Sequence, residues 1–268
     1  MKKISVIMGI FNCSQTLSDA IESIISQTYS NWELIMCDDA STDDTYTIAK
    51  RYAERYPDRI ILIANDTNQR LAKSLNNCLR YATGEYIARM DGDDISVSTR
   101  FEEQMNFLEE HPEYDLVGTQ MISFDETGDK GIRECQREPQ KQDLVYGNPF
   151  CHATIMAKRI VYDKLQGYSE KKYISRCEDV ELWFRFYEAG FRGYNIDRPL
   201  YKVRETLGDF KRRKLCYTVD TMRVCFEGYK KLHYPLKRYI FLLKPLISDL
   251  VPRRLMKYYH NKKDGKNI

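Results

Sequence analysis

Apolar positions along the first third of this chain alternate between two rhythms. "ISVIMGIF", residues 4–11, is a continuous β-branched run of the kind expected for a strand buried on both faces. Leu17, Ala20, Ile21, Ile24 and Ile25 then recur at spacings of three and four, which predicts an amphipathic helix over roughly residues 15–27. "WELIMCDD" predicts a second strand, and "ASTDDTYTIAKRYAERY" a second helix capped by Ser41, Thr42 or Asp43. Strand "RIILIAND", helix "LAKSLNNCLRYA" ended by Gly84, and strand "EYIARMD" follow. A βαβαβαβ order over about 90 residues is the signature of a parallel sheet with crossover helices.

Ligands of such a sheet bind outside the carboxyl ends of its strands. The polar residues there are Asn12, Asp38 and Asp39, Asn65 to Arg70, and Asp91 to Asp94. Three loops thus bring carboxylates to one rim.

Past that rim the pattern is less regular. "STRFEEQMNFLEEHP" predicts a helix with Thr99 and Glu102 in capping-box spacing, and "YDLVGTQMISFD" a strand and turn. Residues 125–150, polar and broken by Gly and Pro, read as a mobile loop. "CHATIMAKRIVYDKLQGY" and "CEDVELWFRFYEAG" predict a strand entering one helix and then a second helix. Val180, Trp183, Phe184 and Tyr187 form the apolar stripe of that last helix, so Trp183 reads as core rather than as a sugar platform. Glu178 and Asp179 fall at its start, where the helix dipole favours a carboxylate.

Composition narrows the class. The 268 residues are 43% hydrophobic and 30% charged, which is globular rather than disordered or fibrous. Eight cysteines make no Cys-x-x-Cys pair and no zinc spacing, so they read as reduced thiols. "MKKISVIMGIFN" has the flavour of a signal peptide, but Asn12, Gln15 and Asp19 follow at once and it is taken as the first strand. Lys244, Pro245 and Asp249 break "YIFLLKPLISDLV", the most apolar later stretch, so no bilayer crossing is expected and the chain is placed in the cytoplasm.

Charge is unevenly spread. Residues 210–268 hold 16 Lys/Arg against 4 Asp/Glu, whereas the first 209 hold 26 against 35. The basic clusters "KRRK", "KKLHYPLKR" and "PRRLMKYYHNKK" are interleaved with aromatic and aliphatic residues, which suits interfacial helices on anionic lipid. Nucleic acid would satisfy the charge equally well, and packing on the body is the plainer alternative.

Asp91, Asp93 and Asp94 crowd three like charges into four positions. Two carboxylates one residue apart can converge on a hard cation, Mg²⁺ or Mn²⁺, that keeps sites open for substrate phosphates. A lone D-x-D is more often a solvated turn; this one ends a parallel strand. An EF-hand fails, because position six is Ser96 where Gly is needed and a strand precedes the loop. No Gly-rich phosphate cradle occurs, so a metal would have to neutralise any phosphate.

"ISVIMGIFN", "QTYSNWELIMCDDASTDDT", "LAKSLNNCLRYATGEYIARMDGDD" and "CEDVELWFRF" resemble, in order over residues 3–205, the successive motifs of family 2 glycosyltransferases with the GT-A fold. The resemblance implies an α/β, Rossmann-like, mostly parallel sheet flanked by helices, with a catalytic domain over 1–208 and a basic helical extension over 209–268. Residues 1–94 would be its nucleotide-binding half and 95–208 its acceptor half.

It also implies inverting transfer of a sugar from a nucleoside diphosphate, UDP foremost, to a hydroxyl of a glycan or lipid-linked acceptor in surface-polysaccharide synthesis. Ile10, Phe11, Asn12 and Asp39, with Asp38 beside it and Asp91 in support, would hold the nucleotide. Asp93 and Asp91 would bind Mn²⁺ or Mg²⁺, and Asp94 would be a further ligand or a turn cap. The base falls on Asp179, next to Glu178. His152 matches a histidine near the acceptor in relatives, with a structural role as the alternative. Arg70, where the family often has Gly, would touch donor phosphate or lie exposed, and Gly9 stands where Pro is frequent. The partners implied are a nucleotide sugar, the acceptor and an anionic membrane surface, with no nucleic acid.

The chemistry is consistent with those roles. An acceptor hydroxyl is a poor nucleophile, and a positioned carboxylate that takes its proton is worth roughly 10² to 10⁴ in rate. A divalent cation stabilises the departing diphosphate. A nucleotidyltransferase would be expected to show a Gly-rich loop, which "GIFNCSQT" does not supply; a non-catalytic nucleotide-sugar or glycan-binding module is the third reading.

Overall fold

The computed structural model describes residues 1–174, 176–205 and 215–250. Its first half follows the periodicity closely. Strands β1 (Ile4–Ile10), β2 (Trp32–Asp38), β3 (Ile60–Ala64) and β4 (Tyr86–Arg89) alternate with helices α1 (Leu17–Ile25), α2 (Thr45–Arg55) and α3 (Leu71–Tyr81). β1 is paired in parallel on both sides, Val6 lying between Leu34 and Ala88. Ile4, Val6, Met8 and Ile10 enter one apolar cluster with Leu17, Ile21 and Ile24 of α1, while Ile7 enters the opposite cluster with Leu75 and Cys78 of α3. That two-sided burial is why β1 is continuously apolar, each such side chain contributing about 1.5–3 kcal/mol. Register carries Ile10, Asp38 and Ala64 to a common edge.

The second half departs from the parallel pattern. β5 (Ile95–Ser96), α4 (Arg100–Glu110), β6 (Leu116–Asp125), β7 (Gly128–Arg133), β8 (Met156–Lys158), α5 (Arg159–Leu165), α6 (Glu178–Glu188) and β9 (Gly193–Arg204) follow. Among the described residues the sheet runs β3-β2-β1-β4-β8-β6-β9-β5, with β7 on β6. β8 joins β4 antiparallel, whereas β6 and β9 run parallel. β9 has no counterpart in the sequence expectations, because "GYNIDRPLYKVR" is interrupted by Asp197, Arg198 and Pro199. Pro199 is accommodated where the β6–β9 register shifts, as expected for a residue that donates no ladder hydrogen bond.

Three local expectations are corrected. Residues 125–150 contain a strand, β7, and a 3₁₀ turn over Lys141–Val145 rather than a loop throughout. The Thr99/Glu102 capping box does not form: Thr99 donates to Glu103 at 2.7 Å, while Glu102 accepts from Thr28 across the α1–β2 loop at 2.7 Å. α2 starts one residue beyond the proposed caps, although Asp43 does accept the Thr45 N–H at 3.0 Å.

Of the basic C-terminal region, α7 (Leu215–Lys231), a 3₁₀ helix over Leu236–Leu243 and α8 (Lys244–Leu250) are described. Two of its proposed basic clusters, "KRRK" and "PRRLMKYYHNKK", lie outside the described residues. α7 packs on α6, and Val224, Tyr229, Leu232 and Tyr234 share a core cluster with Trp183 and Phe186. Gly228 makes this possible: a Cβ there would lie 2.2 Å from the Phe184 ring.

Candidate active site

The strand ends on the first half form one rim. Asn12, Ala40 and Arg70, just past β1 and β2 and at the start of α3, all take positive φ (49°, 60° and 73°), a conformation unfavourable for non-glycine residues and held here by side-chain hydrogen bonds. Asn12 Oδ1 accepts the Thr42 N–H at 2.8 Å, and the Asn12 N–H donates to Ser41 Oγ at 3.0 Å, joining the first two loops. Buried Asp39 accepts from Asn65 Nδ2 and the Gln69 N–H on one oxygen and from the Arg70 N–H on the other, all at 2.8 Å. Asp38 Oδ2 accepts the Ser41 N–H at 3.1 Å. Both aspartates therefore organise the rim. Phe11 is 47% exposed, whereas the Ile10 side chain belongs to the core and only its backbone faces the rim loops.

The acidic loop leaves β4 at the same rim. Gly92 sits so close to Cys13 Sγ and Ile10 Cγ2 that an added Cβ would lie 3.0 and 3.1 Å from them, and its carbonyl accepts from Thr16 Oγ1 at 3.0 Å. Glycine is what lets the loop lie flat on the start of α1. β9 fixes the other side: the Arg204 N–H donates to Asp94 Oδ1 at 2.8 Å, Arg204 Nε to the Asp93 carbonyl at 3.0 Å, and the Asp91 N–H to Tyr201 Oη at 3.1 Å. Arg89, buried at the end of β4, ion-pairs through both terminal nitrogens with both oxygens of Asp91. Burial is the largest single influence and opposes its charge, but Asp91, Tyr201, Tyr168 and Asp94 together outweigh it and strengthen its hold on the proton.

Carboxylate oxygens of Asp91, Asp93 and Asp94 lie within 4.8 Å of one another. Ligands about 2.1 Å from a Mg²⁺ are at most about 4.2 Å apart, so a small side-chain rotation would let them share one ion. Burial and then the charges of Asp91 and Asp93 push the Asp94 carboxyl up to about 8. The donor set fits a hard divalent cation. Asp93 is exposed, whereas Asp94 is buried and its Oδ1 is taken by the Arg204 N–H.

Opposite stands the start of α6. Asp179, half-buried, accepts from the Val180 N–H at 2.8 Å and from Asn148 Nδ2 at 2.5 Å. Burial raises its pKa above the ordinary carboxylate value, against those two hydrogen bonds and the field of Arg89. Glu178 is also raised, by burial and then by Asp179, and its Oε2 accepts the Arg176 N–H at 2.9 Å. His152 is buried 2.7 Å (Nε2) from Tyr168 Oη, and burial, then Arg89, hold it well below its usual pKa, so it is neutral near pH 7. Trp183 lies wholly in the core beneath it.

One cleft of about 1100 Å³ is lined by Asp91 and Asp94 on one wall and by His152, Glu178 and Asp179 on the other. That exceeds the usual 300–1000 Å³ or so of a small-ligand site, leaving room for two reactants. The lining takes in Leu71 but not Arg70, whose side chain is exposed. Arg89, Asn148, Arg176, Tyr201 and Arg204 were not singled out from the sequence. Arg89 was the findable one, a cation two residues before an acidic pair on a buried strand.

Comparison with known proteins agrees with this architecture. A family model described as Glycosyl transferase family 2 matches residues 5–165. EpsE of Bacillus subtilis (strain 168) is 52% identical over 261 residues, 97% of this chain and 94% of that protein. WfaP of Escherichia coli, a UDP-Glc:alpha-D-GlcNAc-diphosphoundecaprenol beta-1,3-glucosyltransferase, is 31% identical over 198 residues, 74% of this chain and 75% of that one. Among solved structures, S. aureus TarS 1-349 in complex with UDP-GlcNAc superposes with a TM-score of 0.71 at 18% identity, covering 91% of this chain and 71% of that one. The mannosyltransferase PcManGT from Pyrobaculum calidifontis, in complex with GDP-Man and Mn²⁺, gives 0.62 at 20% identity, over 91% and 68%. These similarities show the GT-A fold.

Proposed function

The chain belongs to glycosyl transferase family 2, and from that premise we propose an inverting, metal-dependent transfer of a sugar from a nucleoside diphosphate to an acceptor hydroxyl in polysaccharide synthesis. The observation that carries the reading is that Asp91 and Asp94, two members of the three-carboxylate cluster, line the same cleft as Asp179, a carboxylate whose pKa is raised by burial. Two walls with separate carboxylates match a reaction that needs one site for a leaving diphosphate and one for an incoming nucleophile.

On the donor wall, Asp93 is the principal ligand for Mn²⁺ or Mg²⁺, with Asp91 and Asp94 completing the oxygen set. When bound, the cation supplies Lewis-acid stabilisation of the departing diphosphate. Phe11, Asn12 and Asp39, with the backbone of Ile10, hold the nucleotide, and Asp39 does so partly by fixing the loop that ends at Arg70. UDP is favoured as the nucleotide because WfaP is a UDP-Glc glucosyltransferase and TarS binds UDP-GlcNAc.

On the acceptor wall, Asp179 takes the proton of the attacking hydroxyl. Burial raises its pKa, which strengthens it as a base. Val180 and Asn148 fix the carboxylate, and neutral His152 shapes the pocket beside it. Direct attack from the acceptor side, with no enzyme nucleophile interposed, inverts the anomeric centre.

The acceptor we infer is lipid-linked, since WfaP acts on a diphosphoundecaprenol and the C-terminal region is basic. The chain would then work on an anionic membrane face without crossing it; among the described residues no helix is long and apolar enough to span a bilayer. Family membership sets aside the nucleotidyltransferase reading. The transferase reading is tested with Asp179→Asn in a transfer assay: turnover should be lost while donor binding is kept. Turnover equal to wild type removes Asp179 as the base.

A further inference from the structure

The 3₁₀ helix over Leu236–Leu243 and α8 carry a set of aliphatic side chains that stand exposed among the described residues. Leu236 is 85% exposed, Ile240 69%, Leu243 46% and Ile247 57%. Single exposed aliphatics are ordinary on a protein surface, but here Ile240 and Leu243 share one face of the 3₁₀ helix at its repeat of three, Ile247 follows about one α-helical turn on, and Leu236 stands exposed at the start of the same segment. The segment is nonetheless well docked. Tyr239, Phe241 and Leu242 on its other sides pack on the core, and the Phe241 ring lies 5.2 Å from that of Tyr146. Arg238 donates to the Gln142 carbonyl at 2.8 Å, and Lys244 to the Tyr146 carbonyl.

Cations flank the ridge. Lys237 and Lys244 are exposed beside the aliphatic residues, and further Lys/Arg residues follow in the sequence. Ridge and cations together distinguish the possible occupants. A second copy seated on the ridge by two-fold symmetry would bring these lysines towards their own equivalents, which is unfavourable. An anionic bilayer pairs with the cations and takes up the aliphatic groups.

Position adds a consequence. The ridge is fastened to residues 141–146, and Asn148, two residues on, donates to Asp179 on the acceptor wall. We propose that Leu236, Ile240, Leu243 and Ile247, beside the exposed Lys237, insert into the interfacial layer of an anionic membrane and set the acceptor wall of the cleft against the lipid surface. The inference rests on the reading of a membrane-borne acceptor and names the element that meets the membrane.

The experiment is flotation of the full chain with phosphatidylcholine vesicles, with and without phosphatidylglycerol, beside a variant combining Leu236→Ser, Ile240→Ser, Leu243→Ser and Ile247→Ser. All four side chains are exposed, so circular dichroism and UDP-sugar binding should be unchanged. Wild type should float with the anionic vesicles and partition about tenfold more weakly in the variant. Lys237→Gln should reduce the dependence on phosphatidylglycerol. If both wild type and the four-serine variant float equally, the ridge is not the docking element, although the membrane reading stands. If wild type does not float, both fall. Concentration-dependent self-association on sedimentation, abolished in the variant and without flotation, would show that a second copy covers the ridge.

Discussion

The two walls of the cleft reach negative charge by different means. On the donor wall Asp91, Asp93 and Asp94 crowd together, with Arg89 ion-paired to Asp91 and the Arg204 N–H donating to Asp94. On the acceptor wall Asp179 stands at a helix start with one amide and one N–H, and it is burial that shifts it. On the proposed reading the first arrangement would attract a cation and the second would make a base. The contrast is that a cluster stores charge for a ligand, whereas a desolvated single carboxylate stores proton affinity.

The sharpest way to break this contrast is to neutralise each wall in turn. Asp179→Asn should lower turnover by roughly 10² to 10⁴ with donor binding intact, measured by steady-state transfer and by calorimetry. Next in size is Arg89→Met. It leaves Asp91 beside Asp93 and Asp94 without its partner, and equilibrium denaturation should show a loss of about 2–3 kcal/mol, less than for a fully buried pair because Asp91 stays partly in water. No comparable loss is expected from Asp179→Asn.

Smaller effects refine the acceptor wall. Asn148→Ala should reduce turnover about tenfold, since it removes a hydrogen bond to a charged group. It should also move the acid limb of the pH–rate profile to higher pH. The sign follows from Asp179: burial raises its pKa, the Asn148 hydrogen bond lowers it, and a base is active only when deprotonated. In the wild type, turnover should therefore fall as the pH drops through a pKa above the ordinary carboxylate value. An acid limb unmoved by Asn148→Ala would sever Asn148 from the base.

The walls also differ in how much of each was legible in the sequence. The continuous apolar run of β1, buried on both faces, and the three-four spacing in α1 made the donor half readable, because each element there packs against its chain neighbours. Asp93 and Asp39 could be placed from strand ends alone. Beyond β4 the structure is built from long-range pairings, and the pattern no longer carries it. β9 reads as polar with a proline, yet Tyr201 and Arg204 from it hold the acidic loop. Asn148 sits in a segment with no periodicity, so its approach to Asp179 across 31 residues had no local signal. Asp179 itself was reachable only through the Glu-Asp motif of the family, since helix-start carboxylates are common.

The measurement that tests the central claim most directly is calorimetric titration of UDP-, GDP- and dTDP-sugars into the full chain with Mn²⁺ or with EDTA, for wild type, Asp93→Asn and Asp179→Asn. The account predicts that one donor binds with Mn²⁺, that EDTA and Asp93→Asn each abolish this, and that Asp179→Asn leaves it intact. Donor binding indifferent to EDTA and to Asp93→Asn, or lost in Asp179→Asn, would contradict the division of the cleft into a cation wall and a base wall.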